Sequence, residues 1–292
     1  EEAYWQLVGS DISAAADLLS GVHESSGGVD GWVSVEVSPA LAHDTEGTIE
    51  AARELSRNLA LDNLYVKVPA TAEGIEAIRV LTSEGIPVNV TLIFGLERYA
   101  DVIEAYLSGL EAHKGTLSHI SSVGSFFISR VDTEVDRRLT EVGTDDALDL
   151  LGTAAITQGK LAYQLAMTAF SGSRWDALEE RGAKLQRPLW ASTSTKNPEY
   201  PDTYYVDSLI GPNTVNTLPE ATLEAFDDHG NLVSTLDASP EADQKRWEQL
   251  GELVDLDEVS AKLEAEGVAS FATSFDDVLA TLAERVGPSV DG

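Results

Sequence analysis

Short apolar runs alternate along the chain with longer segments in which apolar residues return every three or four positions. A short apolar run fits a strand buried on both faces, and the longer period fits a helix lying on a sheet. The runs predict six strands, over residues 33–37, 64–68, 88–92, 120–127, 185–191 and 214–216. Helices are predicted over 48–59, 73–84, 96–112, 133–141, 145–170 and 204–210. Thr71 or Ala72 opens the second helix, Glu73 and Glu76 fill its first turn, and Gly85 stands where a left-handed residue would end it. Pro219 begins a last helical block, interrupted by a Ser/Asp/Gly-rich loop around 227–240 and continued by two amphipathic helices, 257–267 and 274–286.

This βαβα order is the α/β signature of a parallel sheet covered by helices. Six strand–helix units fit either an incomplete (β/α)₈ barrel or an open doubly wound sheet, and both collect chemistry at the C-terminal ends of their strands. No repeat, low-complexity tract or internal boundary interrupts the pattern, so residues 1–292 are expected to form a single domain.

Composition narrows the chemistry. At 292 residues and 43% apolar, the chain can bury the core of one barrel. It has no cysteine, which excludes disulfides, thiolate metal sites and cysteine nucleophiles. No run reaches the roughly 18 apolar residues of a membrane helix, and Glu1 to Ser10 lack a signal core, so a cytoplasmic protein with no membrane association is expected. Fifty acidic against nineteen basic residues give a net charge of −31, which repels nucleic acid and anionic lipid. The acids are spread over helical segments such as 46–57, 141–149 and 252–266, a solvated face best tolerated where salt screens self-repulsion. An anionic substrate would have to be met by local cations, so the few basic residues become informative. There is no Gly-rich phosphate loop and no His-Glu-x-x-His; the five histidines are scattered, His43 and His119 among them, and neither metal nor organic cofactor is expected.

The candidate chemistry sits near strand ends. Lys67, in Leu64-Tyr-Val-Lys-Val-Pro-Ala-Thr71, lies between Val66 and Val68 on a strand covered on both faces. Desolvation favours a neutral amine, the form that attacks a carbonyl. Alternatively, the side chain snorkels to solvent or pairs with a carboxylate. Glu36 is the one acid in Trp32-Val-Ser-Val-Glu-Val37, where it can shuttle protons or pair with Lys67. Either role puts Glu36 and Lys67 in one pocket. Asn89 and Thr91, two apart, share one face of their strand; the amide can hold a sugar oxygen and the hydroxyl can position a water. Ser125 and Arg130 follow in Ser121-Ser-Val-Gly-Ser-Phe-Phe-Ile-Ser-Arg130, where the guanidinium can fork onto a phosphate or pair with a nearby acid. Lys196, in Trp190-Ala-Ser-Thr-Ser-Thr-Lys-Asn197, offers a second cation among hydroxyls, or simply belongs to a polar loop.

Taken together, Val66-Lys-Val-Pro-Ala-Thr71, Val88-Asn-Val-Thr-Leu-Ile-Phe94, Ser125-Phe-Phe-Ile-Ser-Arg-Val-Asp132, Arg187-Pro-Leu-Trp-Ala-Ser192 and Thr214-Val-Asn-Thr-Leu-Pro219 resemble transaldolases, particularly their actinobacterial-type branch, in order and spacing over the whole length. The resemblance implies a (β/α)₈ TIM barrel that needs no metal or cofactor, with sugar phosphates as substrates in the pentose phosphate pathway. It implies that Lys67 is the Schiff-base lysine, that Glu36 works with a catalytic water, and that Thr91 helps hold that water. Asn89 and Ser125 would line the substrate chain with Phe127 packing nearby, and Arg130 and Ser192 would bind phosphate. The family's second phosphate cation often stands two residues past the matching serine; that position is Ser194 here, and Lys196 is the nearest cation.

The family's first strand, with its aspartate, and its second, with a Thr-Asn-Pro run, have no counterpart in the sequence. The chain begins in what should be the helical region before the third strand, so it reads as N-terminally truncated. Transfer of a dihydroxyacetone unit from sedoheptulose 7-phosphate or fructose 6-phosphate to an aldose phosphate is the expected reaction. A related class I aldolase releasing free dihydroxyacetone and a non-catalytic fragment are the alternatives.

Overall fold

The computed structural model describes residues 2–236 and 240–286. All six predicted strands form, as β1 (Val33–Glu36), β2 (Leu64–Pro69), β3 (Val88–Ile93), β4 (Ser122–Phe127), β5 (Arg187–Ala191) and β6 (Val215–Asn216). They make one parallel sheet in the order β1-β2-β3-β4-β5-β6. A doubly wound sheet reverses its strand order at a switch point; a barrel does not. The uninterrupted order therefore decides between the two architectures, and the fold is an incomplete (β/α) barrel.

The sheet is strongly curled. Lys184 Nζ, just before β5, donates to the carbonyls of Gly27 and Gly28 at 3.1 and 3.0 Å, and Arg187 reaches Asp30 at 2.9 Å, all in the turn that leads into β1. In a flat sheet β1 and β5 would stand about 19 Å apart, four strand spacings. These contacts cross the open side instead and plug the N-terminal end of the half-barrel.

Helices alternate with the strands. α1 (Glu2–Ser25) precedes β1, and α2 (Thr45–Leu59), α3 (Ala72–Ser83) and α4 (Leu96–Ala112) form the next three crossovers. α5 (Ser129–Val142), α6 (Asp145–Leu148), α7 (Ala154–Ala169) and α8 (Gly172–Glu179) lie between β4 and β5. α9 (Tyr204–Ser208) precedes β6, and α10 (Glu220–His229), α11 (Pro240–Leu253) and α12 (Leu256–Val286) follow it. Local chemistry accounts for the ends: Thr71 Oγ1 accepts from Gly74 N at 3.0 Å to start α3, and Gly85, at φ +85°, turns the chain after it. Of the loop expected around 227–240, residues 237–239 lie outside the described residues.

Two expectations fail: the helix predicted over 145–170 is broken by a turn at 149–153 into α6 and α7, and 257–267 and 274–286 belong to a single helix, α12. Gly267 resembles a stop, but it is a contact, since a Cβ there would stand 2.9 Å from Leu92 Cδ2 at the end of β3. From 268 to 286 the sequence has neither glycine nor proline to break the helix.

The convex face of the sheet carries Val66, Val68, Val88, Val90, Phe126 and Trp190, each almost wholly buried in the main core. A second cluster joins Trp5, Val8 and Ile12 of α1 to Val33 and Val35 of β1. Apolar residues at this period are what hold the crossovers to the sheet, at about 25 cal/mol per Å² of apolar surface removed from water. Their strand neighbours, offset by one, point into the concave side. Among the described residues no helix is long and apolar enough to cross a membrane.

Candidate active site

Parallel register builds the site. Glu36 of β1 stands opposite Lys67 of β2, and Lys67 opposite Asn89 of β3, so three polar side chains from successive strands share the concave face. Lys67 Nζ donates to Glu36 Oε2 at 3.1 Å, with both side chains partly exposed, 25% and 32%. The amine is thus not sealed in hydrocarbon: it faces a carboxylate across a small opening to solvent. The carboxylate pairing envisaged for Lys67 and the proximity a proton relay needs are met by the same contact.

Asn89, nearly buried, is held at both ends of its amide. Its Oδ1 accepts from Ser125 Oγ at 2.7 Å, and its Nδ2 donates to Ser34 Oγ at 3.1 Å. Thr91 stands two residues on, opposite Pro69 of β2, and is buried. Beyond it Leu92 takes φ +60°, and the β3–β4 register shifts between Val90 and Ile93. A bulky residue in the left-handed region is strained. The bulge turns the end of β3 toward α12, where Gly267 leaves room for the Leu92 side chain.

The rim comes from elements remote in sequence. A cavity of about 310 Å³ opens at Glu36, lined by Tyr4 of α1 and by Phe271 and Phe275 of α12 among others. The Phe271 ring centroid is 5.6 Å from Lys67 Nζ, within cation–π reach, and Tyr4 packs edge-on against Phe275 at 5.0 Å. Burial, and then the charge of Glu36, raise the Tyr4 phenol above its ordinary pKa. A wider apolar groove, about 520 Å³, lies between α1 and α2 and is lined by none of Glu36, Lys67, Asn89 and Ser125; its polar lining is Glu2, Gln6, Ser38, Glu54 and Asn58.

The expected phosphate-binding residues lie at the next strand ends. Arg130, in the first turn of α5, sits over the Phe127 ring at 5.4 Å, has no carboxylate partner among the described residues, and Phe127 packs on Phe94 at 4.9 Å. Ser192, just past β5, is at φ +57°, and its hydroxyl meets Ser129 Oγ at 3.0 Å while Ser129 N donates to its carbonyl at 2.9 Å. Lys196 donates to Ser194 Oγ at 2.8 Å. It does not line the Glu36 cavity; it lines a separate one of about 220 Å³ with Asp132, Thr133, Asp136, Asn197, Tyr200 and Tyr205. The structure therefore brings Glu36, Lys67, Asn89 and Ser125 together directly and sets Lys196 apart.

Three site residues escaped the sequence reading. Ser34 is legible in retrospect, two residues before Glu36 on the same strand face. Tyr4 and Phe271 carry no local signal, since only the docking of α1 and α12 brings them to the site. His43, exposed and paired with Glu73 at 3.2 Å, and His119, edge-on to His113, lie apart from it.

A concave strand face offering an amine, a carboxylate and a clamped amide has counterparts among known proteins. The Transaldolase/Fructose-6-phosphate aldolase family model matches residues 1–282. The chain belongs to that family. It is 48% identical to Transaldolase 1 of Streptomyces avermitilis, with all of this chain and 79% of that protein aligned. It is 49% identical to the Transaldolase of Frankia alni, over 99% of this chain and 79% of that protein. Against the Transaldolase of Mycolicibacterium smegmatis it is also 49% identical, over 92% of this chain and 74% of that protein. Membership makes the chain an enzyme of transaldolase type, a transferase acting on sugar phosphates.

Proposed function

We propose that Lys67 is the amine that carries the transferred three-carbon unit as a Schiff base, with Glu36 as its proton relay, and that the chain works as one barrel domain in the cytoplasm. The observation that carries this is the Lys67–Glu36 contact at 3.1 Å, set in register with Asn89 on three adjacent strands.

The Lys67 nitrogen attacks the ketone carbon of the donor, and the carbonyl oxygen leaves as water after protonation through Glu36. In the resulting protonated imine the nitrogen draws electrons from the bond between the α and β carbons, which breaks as the β-hydroxyl gives its proton to Glu36 through the water and an aldose phosphate departs. The remaining enamine adds to the aldehyde carbon of an acceptor, and hydrolysis frees Lys67. Thr91 and Glu36 hold the water for these steps, and Asn89, fixed by Ser34 and Ser125, holds a substrate oxygen. Arg130, Ser192 and Lys196 take the phosphate, Arg130 through its forked donors. Phe127 packs beneath Arg130 and limits its swing.

Fructose 6-phosphate as donor and erythrose 4-phosphate as acceptor test the reading. Sedoheptulose 7-phosphate should form in proportion to acceptor, and Lys67→Met should abolish it. Release of free dihydroxyacetone at a rate indifferent to acceptor would instead mark an aldolase, which the comparisons do not favour.

A further inference from the structure

Two carboxylates that this mechanism does not use, one buried and one half-buried, lie on α5, in a chain with a net charge of −31. Asp132 and Asp136 are four residues apart, on one face of the helix that carries Arg130 in its first turn. Each uses its two oxygens in the same way. Asp132 accepts from Ala155 N at 2.7 Å and from the Tyr205 hydroxyl at 2.9 Å. Asp136 accepts from Gly152 N at 2.8 Å and from the Tyr200 hydroxyl at 2.8 Å. Tyr204 adds a bond from its hydroxyl to the Gly152 carbonyl at 2.9 Å. Gly152 lies in the turn before α7 and Ala155 in the first turn of that helix, while Tyr200 belongs to the loop that carries Lys196 and Tyr204 and Tyr205 open α9 at its far end.

That loop is pinned at its near end as well. Ser192 meets Ser129, and Thr193 Oγ1 donates to Asn216 Oδ1 of β6 at 2.8 Å. Inside it, Thr195 Oγ1 donates to the Pro201 carbonyl at 2.8 Å, and Tyr200 N to the Asn197 carbonyl at 3.1 Å. Lys196, between the two anchored ends, has only Ser194 as a partner among the described residues, and it lines the cavity that Asp132, Asp136, Tyr200 and Tyr205 wall.

We propose that Asp136 with Tyr200, and Asp132 with Tyr205, are positioning residues that fasten the Lys196 loop to α5, so that Lys196 and Arg130 act as two arms of one phosphate clamp. This rests on the reading of Arg130 and Lys196 as phosphate-binding. The loop that bears Lys196 is then fixed to the helix that bears Arg130, and a flexible lysine is preorganised without spending phosphate-binding energy on ordering its loop. A carboxylate directly on Lys196 would neutralise the arm; here the hydroxyls and backbone N–H groups occupy the carboxylate oxygens.

The test compares, in the full chain, the kcat/KM for erythrose 4-phosphate with that for erythrose, since their ratio isolates recognition of the phosphate and cancels general damage to the fold. Tyr200→Phe removes one hydroxyl and should lower the ratio about 3–10-fold, the effect of one lost hydrogen bond, mostly through KM. Asp136→Asn is the second variant and should move it the same way. Lys196→Ala is the control and should lower it by about tenfold or more, as for a lost charge-assisted contact. If Lys196→Ala collapses the ratio while Tyr200→Phe and Asp136→Asn both leave it within twofold, the anchoring role is wrong and the phosphate reading stands. If Lys196→Ala leaves it unaltered, the phosphate reading fails, and the inference with it.

Discussion

Glu134 of α5 ties the half-barrel to α12, the helix that brings Phe271 over Lys67. Its carboxylate is 6% exposed and accepts from Arg137 Nη2 at 2.8 Å, from Arg138 Nε at 2.8 Å and from Lys262 Nζ of α12 at 2.6 Å. Hydrogen bonding from Arg137 and then from Lys262 and Arg138 holds it well below the usual carboxylate range. Glu134→Gln keeps the shape but leaves one acceptor oxygen, and turns an NH₂ group toward at least one cation. Breaking a fully buried ion pair costs about 3–5 kcal/mol, while exposed pairs contribute about 0–1. The Lys262 and Arg137 side chains are 34% and 49% exposed, so the expected loss lies between these limits, about 2 kcal/mol. At about 2–4 °C per kcal/mol, the melting temperature should fall by roughly 4–8 °C. Because the folded-state pKa is lowered, the stabilisation is complete above the unfolded value, about 4.3, and is lost as pH falls through the folded one. Calorimetry should therefore show the full gap at pH 7 and a smaller one at about pH 3. A gap below about 0.5 kcal/mol at pH 7, or one that does not change with pH, would refute this account of how α12 is held.

Two further perturbations have defined outcomes. Burial, outweighing its hydrogen bonds, pushes the Asp132 carboxyl up to about 7, so the native state is favoured below the unfolded pKa, near 3.9, and loses that advantage as pH rises through 7. Asp132→Asn should flatten the melting temperature against pH across that window, and a variant whose profile parallels the wild type would contradict the assignment. At Gly74 a Cβ would stand 1.9 Å from the Pro69 carbonyl oxygen, backbone against backbone, so Gly74→Ala should cost about 2–3 kcal/mol by pushing α3 off the end of β2. Urea unfolding measures it, and a loss under about 0.5 kcal/mol would mean that α3 shifts freely.

The sequence made the strands legible because their apolar runs are short and bounded, and α4 coincides with its predicted span because Gly95 stands just before it and no proline interrupts it. Register was not legible, yet it is what turns Glu36, Lys67 and Asn89 from three strand-end polar residues into neighbours. The continuity of α12 was hidden by Gly267, a residue whose small size answers Leu92 rather than ending a helix. Tyr4 and Phe271 were out of reach for a related reason, since their places depend on how α1 and α12 dock. Lys196 shows the opposite limit: its charge was visible, but the cavity it lines is built with Asp132, Asp136 and two tyrosines that strand periodicity does not connect.

Borohydride reduction in the presence of fructose 6-phosphate, followed by peptide mass mapping, asks directly whether Lys67 is the covalent amine. A reduced three- or six-carbon adduct confined to the peptide bearing Lys67, and absent from Lys67→Met, is the predicted result. An adduct on another lysine, with Lys67→Met still labelled, would contradict the account.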